Sequence, residues 1–541
     1  MSKPDNSSFQ IRLPLIIFST LAAGILIGAT FANPKSTSST VMDGITRIKE
    51  IFLQIDQNYV DEIKNDKIVD SAIKGMLDEL DPHTSYIPAK DLAMVSADLK
   101  GNYEGIGIEF NIFKDTLYVV APLSGGPSEE AGLQSGDKII TVNDKNIAGV
   151  ELTNRQVYEN LRGEKGSEVE VTILRKGNKN LLKFNIIRDK IPQFSVDASY
   201  MIDNQIGYIK ISRFSATTYT EFKEALNKLL ENGMQKLVLD LQDNPGGYMD
   251  KAISIADEFL KDNALIVYTE GKETRYNAES RALKEGKFED NPVIVLINEG
   301  SASASEIVSG AIQDNDRGLI VGRRSFGKGL VQMPISLTDG SELRLTISRY
   351  YTPSGRSIQK PFGENPDEYR QEMTARYEHG EYFNADSINF DDSLKYSTKN
   401  GRVVYGGGGI MPDYFIPLDT TYHSDYLNKL FYSNSLRQYA FSYYEKHKQL
   451  LNNLSLEDFI NEFQITEDMI RKMNALAEAN GMVTDTAKLE KSMPLVKIYV
   501  KAYIARNIWN NEGFYPIFNE QNEILQEALK LFKQAETLAK K

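Results

Sequence analysis

A run of alternating serines and a glycine-flanked lysine further along the chain are the residues best suited to chemistry in this 541-residue sequence. The serines lie in residues 300–306 (GSASASE), and Lys328 lies in residues 326–331 (FGKGLV). Serine is a poor nucleophile at neutral pH and needs a base, a role that lysine fills only when it is uncharged. Burial can lower a lysine pKa from about 10.4 by the roughly three units required. This pair of residue types suggests a Ser/Lys hydrolase.

Local structure around both residues fits such a site. Residues 307–312 carry apolar side chains at helical spacing, which predicts that a loop turns into a helix close to Ser303. The free N–H groups of a helix N-terminus can stabilise an oxyanion. Lys328 has a glycine on each side and apolar residues beyond them, so the backbone can pack closely around it.

The residues by themselves leave two questions open. Residues 303–306 (SASE) also match a capping box, in which the serine and the glutamate only satisfy backbone N–H groups. A glycine-flanked lysine is also common in simple turns. The spacing does not say which serine is the nucleophile, because Ser301, Ser303 and Ser305 are equivalent in the pattern.

Four segments of the sequence are informative when read together: residues 298–307 (NEGSASASEI), 311–314 (AIQD), 325–332 (SFGKGLVQ) and 350–359 (YYTPSGRSIQ). In their order and spacing, they resemble the carboxy-terminal processing proteases, the tail-specific peptidases of the S41 class. The resemblance implies that Ser303 is the nucleophile, that Lys328 is its base and that Gln332 orients the lysine. Asp314 matches an acidic position of the family, for which we expect a solvated carboxylate at the end of a helix.

A second part of this site is predicted in residues 237–247 (LVLDLQDNPGG), a short apolar run that indicates a buried strand ending in a tight turn. The family resemblance implies an oxyanion hole formed by the turn at Gly246 and Gly247 together with Ala304, the residue after the nucleophile. An ordinary strand-to-helix turn is the alternative interpretation. Gln242 departs from the arginine that many relatives carry, which affects no catalytic assignment.

Two further motifs lie upstream, in residues 103–110 (YEGIGIEF) and 126–143 (GPSEEAGLQSGDKIITVN). Because of these motifs, residues 103–188 resemble a PDZ domain. A loop with successive free N–H groups ahead of a strand binds the terminal carboxylate of a peptide, which then adds as an extra strand. We therefore expect peptide binding at a four-residue loop: Gly105, Ile106, Gly107 and Ile108.

Composition excludes several other classes. The net charge of −13 argues against a nucleic-acid partner, which would need a basic face. The absence of cysteine excludes disulfides, thiolate metal sites and a bacterial lipoprotein anchor. No paired metal-ligand motif occurs, so we expect neither a metal nor a cofactor. The four histidines lie outside the catalytic segments and are expected to be surface or packing residues: His83, His379, His423 and His447.

The N-terminus looks like a targeting element. Residues 13–32 form a run of 20 residues without a charge, long enough at about 1.5 Å per residue to span a hydrocarbon core of roughly 30 Å. Residues 30–32 (TFA) are an imperfect cleavage site, so a cleaved signal peptide and an uncleaved membrane anchor both remain open. In either case we expect an exported protein, periplasmic or otherwise extracytoplasmic.

The predicted fold class is α/β: a crotonase- or ClpP-like protease core, implied by the family resemblance, with an inserted β-rich PDZ domain and helical N-terminal and C-terminal parts. We divide the chain into residues 1–32 (signal peptide or anchor), 33–41 (linker), 42–99 (helical part), 100–188 (PDZ domain), 189–359 (core), 360–404 (insertion), 405–419 (end of the core) and 420–541 (helical domain). The insertion is expected to be a surface subdomain. The last domain is either an oligomerisation or adaptor-docking domain or a structural cap.

The sequence therefore predicts an exported serine endopeptidase that recognises the C-termini of protein or peptide substrates through its PDZ domain and cleaves C-terminal segments. Two alternatives remain: a catalytically silent PDZ scaffold, and a Ser/Lys amidase that acts on cell-wall peptides. An activating or adaptor protein, a homo-oligomer and a membrane-anchored N-terminus are all compatible with the sequence.

Overall fold

The computed structural model describes residues 18, 39–113, 115–123, 125–261, 263–363, 366–389 and 391–539. These residues divide into two units at Met76. The first contains helix α1 (Ser39–Asn58) and most of α2 (Asn65–Asp78), in agreement with the expected helical part. The predicted targeting run 13–32 lies outside the described residues except for Phe18. Within the described ranges, no helix combines the length and apolar character needed to cross a membrane.

The second unit begins with a small β-rich domain. After β1 (Ser85–Ile87) and α3 (Ala89–Lys100), the chain forms β2 (Asn102–Gly105), β3 (Ile108–Phe113), β4 (Thr116–Pro122), α4 (Pro127–Glu130), β5 (Lys138–Val142), β6 (Lys145–Asn146), α5 (Asn154–Leu161), β7 (Glu168–Leu174), β8 (Leu182–Ile187) and β9 (Asp189–Pro192). The main sheet has the order β3-β4-β5-β7-β8, and β2 pairs with β9. Because β3 is at the edge of this sheet, one side of it is open to a groove beside α5.

The core follows without a break. Its elements are β10 (Val196–Met201), β11 (Ile206–Ile211), α6 (Thr218–Glu231), β12 (Lys236–Asp240), α7 (Met249–Asp257), β13 (Leu265–Gly271), β14 (Ala278–Arg281), β15 (Val293–Ile297), α8 (Ala304–Asp314), β16 (Leu319–Gly322), β17 (Leu330–Ser336) and β18 (Glu342–Tyr351). The insertion contributes α9 (Pro366–Glu378), β19 (Lys395–Ser397) and β20 (Val403–Tyr405), and β21 (Tyr414–Phe415) follows it.

The C-terminal domain is helical, as predicted. Its helices are α10 (Asp425–Tyr432), α11 (Ser435–Leu451), α12 (Leu456–Glu462), α13 (Glu467–Ala479), α14 (Thr486–Phe518), α15 (Glu523–Leu529) and α16 (Phe532–Ala539). Helix α14 is broken at Trp509 and Asn510, whose backbone angles are not helical. Its residues before the break pack with α10–α13 around one apolar cluster.

The core is built on a six-stranded sheet with the order β10-β11-β12-β15-β16-β21. All neighbouring strands from β11 to β21 are parallel, and β10 is antiparallel to β11. Helices α6, α7 and α8 cover one face of this sheet, and α15 and α16 cover the other. A parallel sheet must be buried on both faces. The last two helices of the chain therefore act as a structural cap on the core.

The predicted catalytic segments leave this sheet at the ends of parallel strands. The turn that contains Gly246 and Gly247 follows β12, the serine run follows β15, and Lys328 lies between β16 and β17. The carboxyl ends of parallel strands share one edge of the sheet, so these three loops converge. The turn after β12 depends on Gly247, whose φ is +144° and whose added Cβ would lie 2.1 Å from the carbonyl oxygen of Phe214.

Candidate active site

The three loops enclose a cavity of about 690 Å³ at this edge of the sheet. Its lining includes five of the predicted site residues: Gly246, Gly247, Ser303, Lys328 and Gln332. The side chains of His83 and Tyr350 complete part of the wall. The structure thus brings together residues that lie far apart in the sequence.

Ser303 occupies the N-cap position of α8 with a φ of 56° and a ψ of −111°. A residue other than glycine in such a conformation costs of order 1–3 kcal/mol and is found mainly at functional sites. The two neighbouring serines are buried and hold the loop together. Ser301 Oγ donates to the carbonyl oxygen of Leu241 at 2.7 Å, and Ser305 Oγ donates to that of Asn244 at 3.0 Å. Of the three serines, only Ser303 lines the cavity.

Glu306 joins the serine loop to the lysine loop. Its Oε2 accepts hydrogen bonds from the N–H groups of Ser303, at 2.7 Å, and Lys328, at 2.9 Å. Its Oε1 accepts hydrogen bonds from Ser325 Oγ, at 2.5 Å, and from the N–H of Gly327, at 2.7 Å. Burial raises the pKa of Glu306 to about 7, although these four hydrogen bonds act in the opposite direction. The glutamate half of the predicted capping box is therefore present, and the same carboxylate also positions the lysine loop.

Tyr350 joins the same two loops from the other side. Its hydroxyl lies 2.6 Å from the carbonyl oxygen of Lys328 and 3.0 Å from that of Ser303. The side chain is fully buried, and burial raises its pKa well above the usual value, so the phenol stays protonated and donates. No sequence pattern predicts a role for Tyr350, or for Glu306 as a link between the loops, because both links are contacts of the folded chain.

Lys328 has the electrostatic surroundings that a neutral lysine needs. Burial lowers the pKa of its ammonium group below the usual value. The carboxylates of Glu306 and Asp81 oppose that change, and the positive charge of Arg344 adds to it. Gln332 lines the same cavity from β17, where its Nε2 donates to Thr346 Oγ1 at 3.2 Å.

The three residues predicted to form the oxyanion hole differ in whether their N–H groups are free. The N–H of Gly246 donates to Asn244 Oδ1 at 2.9 Å, so it serves the turn itself. In the part of the chain that the structure describes, the N–H groups of Gly247 and Ala304 have no protein acceptor. Gly246 packs so tightly that an added Cβ would lie 2.7 Å from Ser303 Cβ and 2.9 Å from the Ala304 nitrogen. Gly247 and Ala304 therefore have N–H groups free to serve the predicted hole, and Gly246 makes a close contact beside it.

His83, for which a surface or packing role is expected, packs against the rings of Phe326 and Tyr369 and also borders the candidate site. It lines the cavity, and its Nε2 lies 2.7 Å from the hydroxyl of Tyr369, a residue of the insertion. Burial lowers the pKa of His83 to about 4, and the charge of Lys328 contributes, so the imidazole is neutral at neutral pH. No sequence pattern around this histidine, in residues 80–86 (LDPHTSY), predicts a place in the site.

The insertion was expected to be a surface subdomain, but part of it supports the lysine loop. Arg376, on α9, donates to the carbonyl oxygens of Ser325, at 2.8 Å, and Phe326, at 3.2 Å. The ammonium group of Lys360 lies 4.0 Å from the centre of the Phe326 ring and is almost fully buried. These contacts fix the backbone immediately before Lys328.

The expectation for Asp314 was wrong. Its carboxylate is not solvated but fully buried, and it accepts a hydrogen bond from Arg356 at 2.7 Å. It also accepts from the N–H and the hydroxyl of Ser354, at 3.0 and 2.7 Å. A charged pair can be buried in this way because each charge is neutralised and hydrogen-bonded by the other. The partner, Arg356, comes from the segment 350–359. The position of Asp314 at the end of a helix gives no sign of this partner.

The predicted peptide-binding loop lines a second cavity of about 1130 Å³ between β3 and α5. Among the described residues, the N–H groups of Ile106 and Gly107 have no protein acceptor. Val157 and Leu161, two buried residues of α5, form an apolar wall next to this loop. Free backbone donors beside an apolar pocket can bind a terminal carboxylate together with an apolar last side chain.

Comparisons with known proteins identify the families to which the parts of this chain are similar. Residues 205–369 match the model of peptidase family S41, residues 105–186 match that of the PDZ domain, and residues 28–91 match that of the activating protease CtpB N-terminal domain. Residues 426–510 match a family of unknown function.

Relatives of known name cover most of the same region. A carboxy-terminal-processing protease of Bartonella bacilliformis is 37% identical over 64% of this chain and 79% of its own length. The carboxy-terminal processing protease CtpB of Bacillus subtilis is 35% identical over 69% of this chain and 75% of its own. The solved structure of a photosystem II D1 C-terminal processing protease is 29% identical to this chain. The match covers 57% of this chain and 89% of the solved one, and its TM-score of 0.33 is too low to compare the two complete folds. The chain therefore belongs to the S41 family of carboxy-terminal processing proteases, and it is a serine-type peptidase with a PDZ domain.

Proposed function

We propose that this protein is an exported endopeptidase that cuts protein substrates with a dyad of Ser303 and Lys328 after binding their C-termini in the PDZ groove. The observation that carries the dyad is that the two residues line one cavity while Glu306 and Tyr350 tie their backbones together. A nucleophile and a base must hold a fixed geometry, and a shared buried framework supplies it.

In the proposed reaction, neutral Lys328 takes the proton of the Ser303 hydroxyl while Oγ attacks the scissile carbonyl carbon. The N–H groups of Gly247 and Ala304 stabilise the oxyanion of the tetrahedral intermediate. The lysine then gives its proton to the leaving amine, which leaves an acyl-enzyme ester on Ser303. Water hydrolyses this ester with Lys328 as the base, and the serine is regenerated.

Alanine substitutions in the serine run test the nucleophile. We expect Ser303→Ala to lower kcat by several orders of magnitude, since the nucleophile is lost. Ser301→Ala and Ser305→Ala are matched controls, because both hydroxyls are buried in hydrogen bonds to backbone carbonyls. They should lower stability and leave much of the activity. If the Ser303→Ala variant turned over substrate as fast as the wild type, Ser303 would not be the nucleophile. If the wild type itself cleaved none of the tailed substrates, the catalytically silent scaffold would be favoured.

Lys328→Arg tests the base. Arginine keeps the positive charge but does not deprotonate in proteins, so we expect no activity at any pH at which the fold survives. In the wild type, activity should rise with pH through the lowered pKa of Lys328, because only the neutral amine accepts the serine proton. An active Lys328→Arg enzyme would remove the lysine from the mechanism.

The C-terminal carboxylate of the substrate tests the PDZ groove. Amidating it removes charge-assisted hydrogen bonds worth about 1.5 to 3 kcal/mol, or roughly a tenfold to hundredfold loss of affinity. We expect kcat/KM to fall by that factor for the amidated member of a pair of otherwise identical substrates. Equal rates for both at sub-saturating concentration would exclude carboxylate binding by Ile106 and Gly107.

Export is supported by the uncharged run 13–32 alone. Cell fractionation, combined with mass spectrometry of the N-terminal peptide, would separate the two forms of the proposal. A cleaved signal peptide gives a soluble extracytoplasmic protein that starts near residue 33, whereas an anchor gives an intact N-terminus in the membrane fraction. Recovery of the full chain in the cytoplasm would contradict both.

A further inference from the structure

The groove beside the predicted carboxylate-binding loop is bordered on one side by the C-terminal helical domain. Four residues of that domain line the same cavity, and together we call them the C-terminal wall: Asn434, Arg437, Arg506 and Asn511. Asn434 Nδ2 donates to Asn111 Oδ1 at 2.9 Å, and the guanidinium of Arg506 lies 3.5 Å from the carboxylate of Glu109. Both partners lie on β3, so the wall stands directly beside the edge strand of the PDZ domain.

The break in α14 explains how the wall is held in this place. Arg506 precedes the break at Trp509 and Asn510, and Asn511 follows it. The first part of the helix packs within the C-terminal domain. The second part also contributes Ile517 to that apolar cluster, and it reaches the core, where the hydroxyl of Tyr515 donates to Asp197 Oδ2 at 2.9 Å. The wall is therefore attached to the helical domain and to the core sheet at once.

The charge of the groove is opposite to that of the protein as a whole. Its lining carries four arginines against two carboxylates: Arg162, Arg213, Arg437 and Arg506, with Glu109 and Asp197. The chain itself has a net charge of −13. Arg437 is exposed and stacks over the ring of Tyr503 at 5.2 Å, and among the described residues it has no carboxylate partner. A cationic groove in an acidic protein attracts acidic segments.

The position of the wall along β3 indicates which tail residues would meet it. Successive side chains of a strand point to opposite faces, and residues paired across two strands point to the same face. Glu109 and Asn111 contact the wall, so residues of an added strand opposite them would also face it. The terminal carboxylate of the tail is taken to bind at Ile106 and Gly107, and the added strand rises by about 3.3 Å per residue. The tail residues opposite Glu109 and Asn111 are then two alternate positions among the four that precede the last residue.

We propose that the C-terminal wall is a specificity subsite that selects substrate tails with an acidic side chain at one or two of these four positions, and that Arg437 and Arg506 bind the carboxylates. The proposal rests on the proposed function of the PDZ groove. Partly exposed ion pairs each change affinity by a factor of about 1.5 to 5. Two such pairs would give acidic tails about a twofold to 25-fold advantage.

Fluorescence polarisation with labelled octapeptides tests the subsite. The peptides end in the same apolar residue and carry Asp, Asn or Lys at the penultimate position and two residues before it. The protein is the full chain with Ser303→Ala, so that peptides are not cut. It is compared with the same chain carrying Arg437→Gln and Arg506→Gln, with a variant carrying Arg437→Gln alone, and with a control carrying Arg471→Gln. Arg471 is an exposed arginine of the same domain that lies outside the groove.

We expect the Asp peptide to bind about twofold to 25-fold more tightly than the Asn peptide, and the Lys peptide to bind most weakly. The double variant should lose this preference, the single variant should lose part of it, and the Arg471→Gln control should keep it. Arg437→Glu, which adds a negative charge, should shift the preference towards Lys. In 1 M salt, where the screening length is about 3 Å, the preference should shrink while the affinity of the Asn peptide remains.

Equal affinity for the Asp and Asn peptides, or a preference that survives the double variant unchanged, would overturn the subsite. Amidated copies of the same peptides separate this outcome from a failure of the PDZ groove itself. If amidation has no effect but the double variant abolishes the preference for Asp, the carboxylate loop is wrong and the wall stands. If amidation weakens binding and the preference for Asp is absent, the loop stands and the wall only braces the PDZ domain.

Discussion

The variant Glu306→Gln tests whether one carboxylate aligns the two catalytic loops. Each oxygen of Glu306 accepts two hydrogen bonds, from Ser303 and Lys328 on Oε2 and from Ser325 and Gly327 on Oε1. Glutamine keeps one accepting oxygen and replaces the other by an NH₂ group, which can only donate. In either orientation, two donors of the site would face a donor.

The two orientations do not cost the same. With NH₂ in the place of Oε1, the hydroxyl of Ser325 can rotate, so mainly the N–H of Gly327 loses its acceptor. With NH₂ in the place of Oε2, two backbone N–H groups lose theirs. An unsatisfied buried donor costs about 1–3 kcal/mol, so the cheaper orientation costs about that amount. Domains are stable by about 5–15 kcal/mol, so the variant should fold.

The expected catalytic effect is larger than the effect on stability. A loop that shifts by about 1 Å to relieve Gly327 carries the neighbouring lysine with it, and a displacement of this size can cost about a hundredfold in rate. We expect kcat for a tailed substrate to fall about a hundredfold with KM nearly unchanged, since the PDZ groove is separate from this cavity. Stopped assays of peptide cleavage, together with thermal melting of the same samples, measure both effects.

The pH dependence of stability and activity gives a second test of the Glu306→Gln variant. Because the pKa of Glu306 is raised to about 7, the folded protein holds this proton more tightly than the unfolded chain between about pH 4.5 and 7. Wild-type stability should therefore fall relative to that of the variant as the pH rises through this window. Below about pH 7 the wild-type carboxyl loses an acceptor and activity should fall, a step that the variant cannot show.

The buried Glu258 is a matched control, because it accepts hydrogen bonds from Tyr219 and from the N–H of Lys287 away from the site. Glu258→Gln should lower the melting temperature and leave kcat unchanged. If Glu306→Gln behaves like this control, with reduced stability but wild-type kcat, the carboxylate is a structural cap alone. Wild-type values for both quantities would refute the argument from its four hydrogen bonds.

Three further substitutions test separate parts of the structure. Gly246→Ala places a Cβ 2.7 Å from that of the proposed nucleophile, at a backbone φ of +96°. We expect kcat to fall about 10²- to 10³-fold, as it does after the loss of an oxyanion donor. Peptide binding to the PDZ domain, measured by fluorescence polarisation, should be unchanged. Asp314→Asn leaves the charge of the buried Arg356 without a carboxylate partner. The free energy of unfolding, measured by denaturant titration, should fall by about 3–5 kcal/mol. A change below about 1 kcal/mol would contradict the ion pair. Arg376→Gln should lower kcat and move the rise of activity to higher pH, because a less enclosed lysine has a pKa closer to its usual value. The exposed Arg370 of the same helix is its control, and an identical pH profile for Arg376→Gln would exclude a positioning role.

Local patterns allowed much of the fold to be predicted. The apolar spacing after Ser303 predicts α8, the apolar run that ends at residue 241 predicts β12, and the family motifs predict the PDZ domain and the S41 core in their correct order. These features depend on residues within a few positions of one another, where periodicity, turn residues and backbone donors act directly.

The sequence could not predict which side chains meet across the fold. The spacing of the three serines is uniform, and only packing buries Ser301 and Ser305 and leaves Ser303 facing the cavity. Glu306 reads as a capping residue because its contacts with the lysine loop arise only when β15 and β16 lie side by side. Asp314 reads as solvated because its partner comes from a different segment.

Only the tertiary structure shows how the regions outside the family motifs relate to the sites. The insertion supports the lysine loop through Arg376, and the C-terminal domain caps the core sheet with α15 and α16 while it places Arg437 and Arg506 beside the PDZ groove. The sequence predicts helices in residues 420–541, but it predicts no helix in the insertion. The surface against which the helix packs depends on the burial of apolar faces across the whole chain, and no local pattern records it.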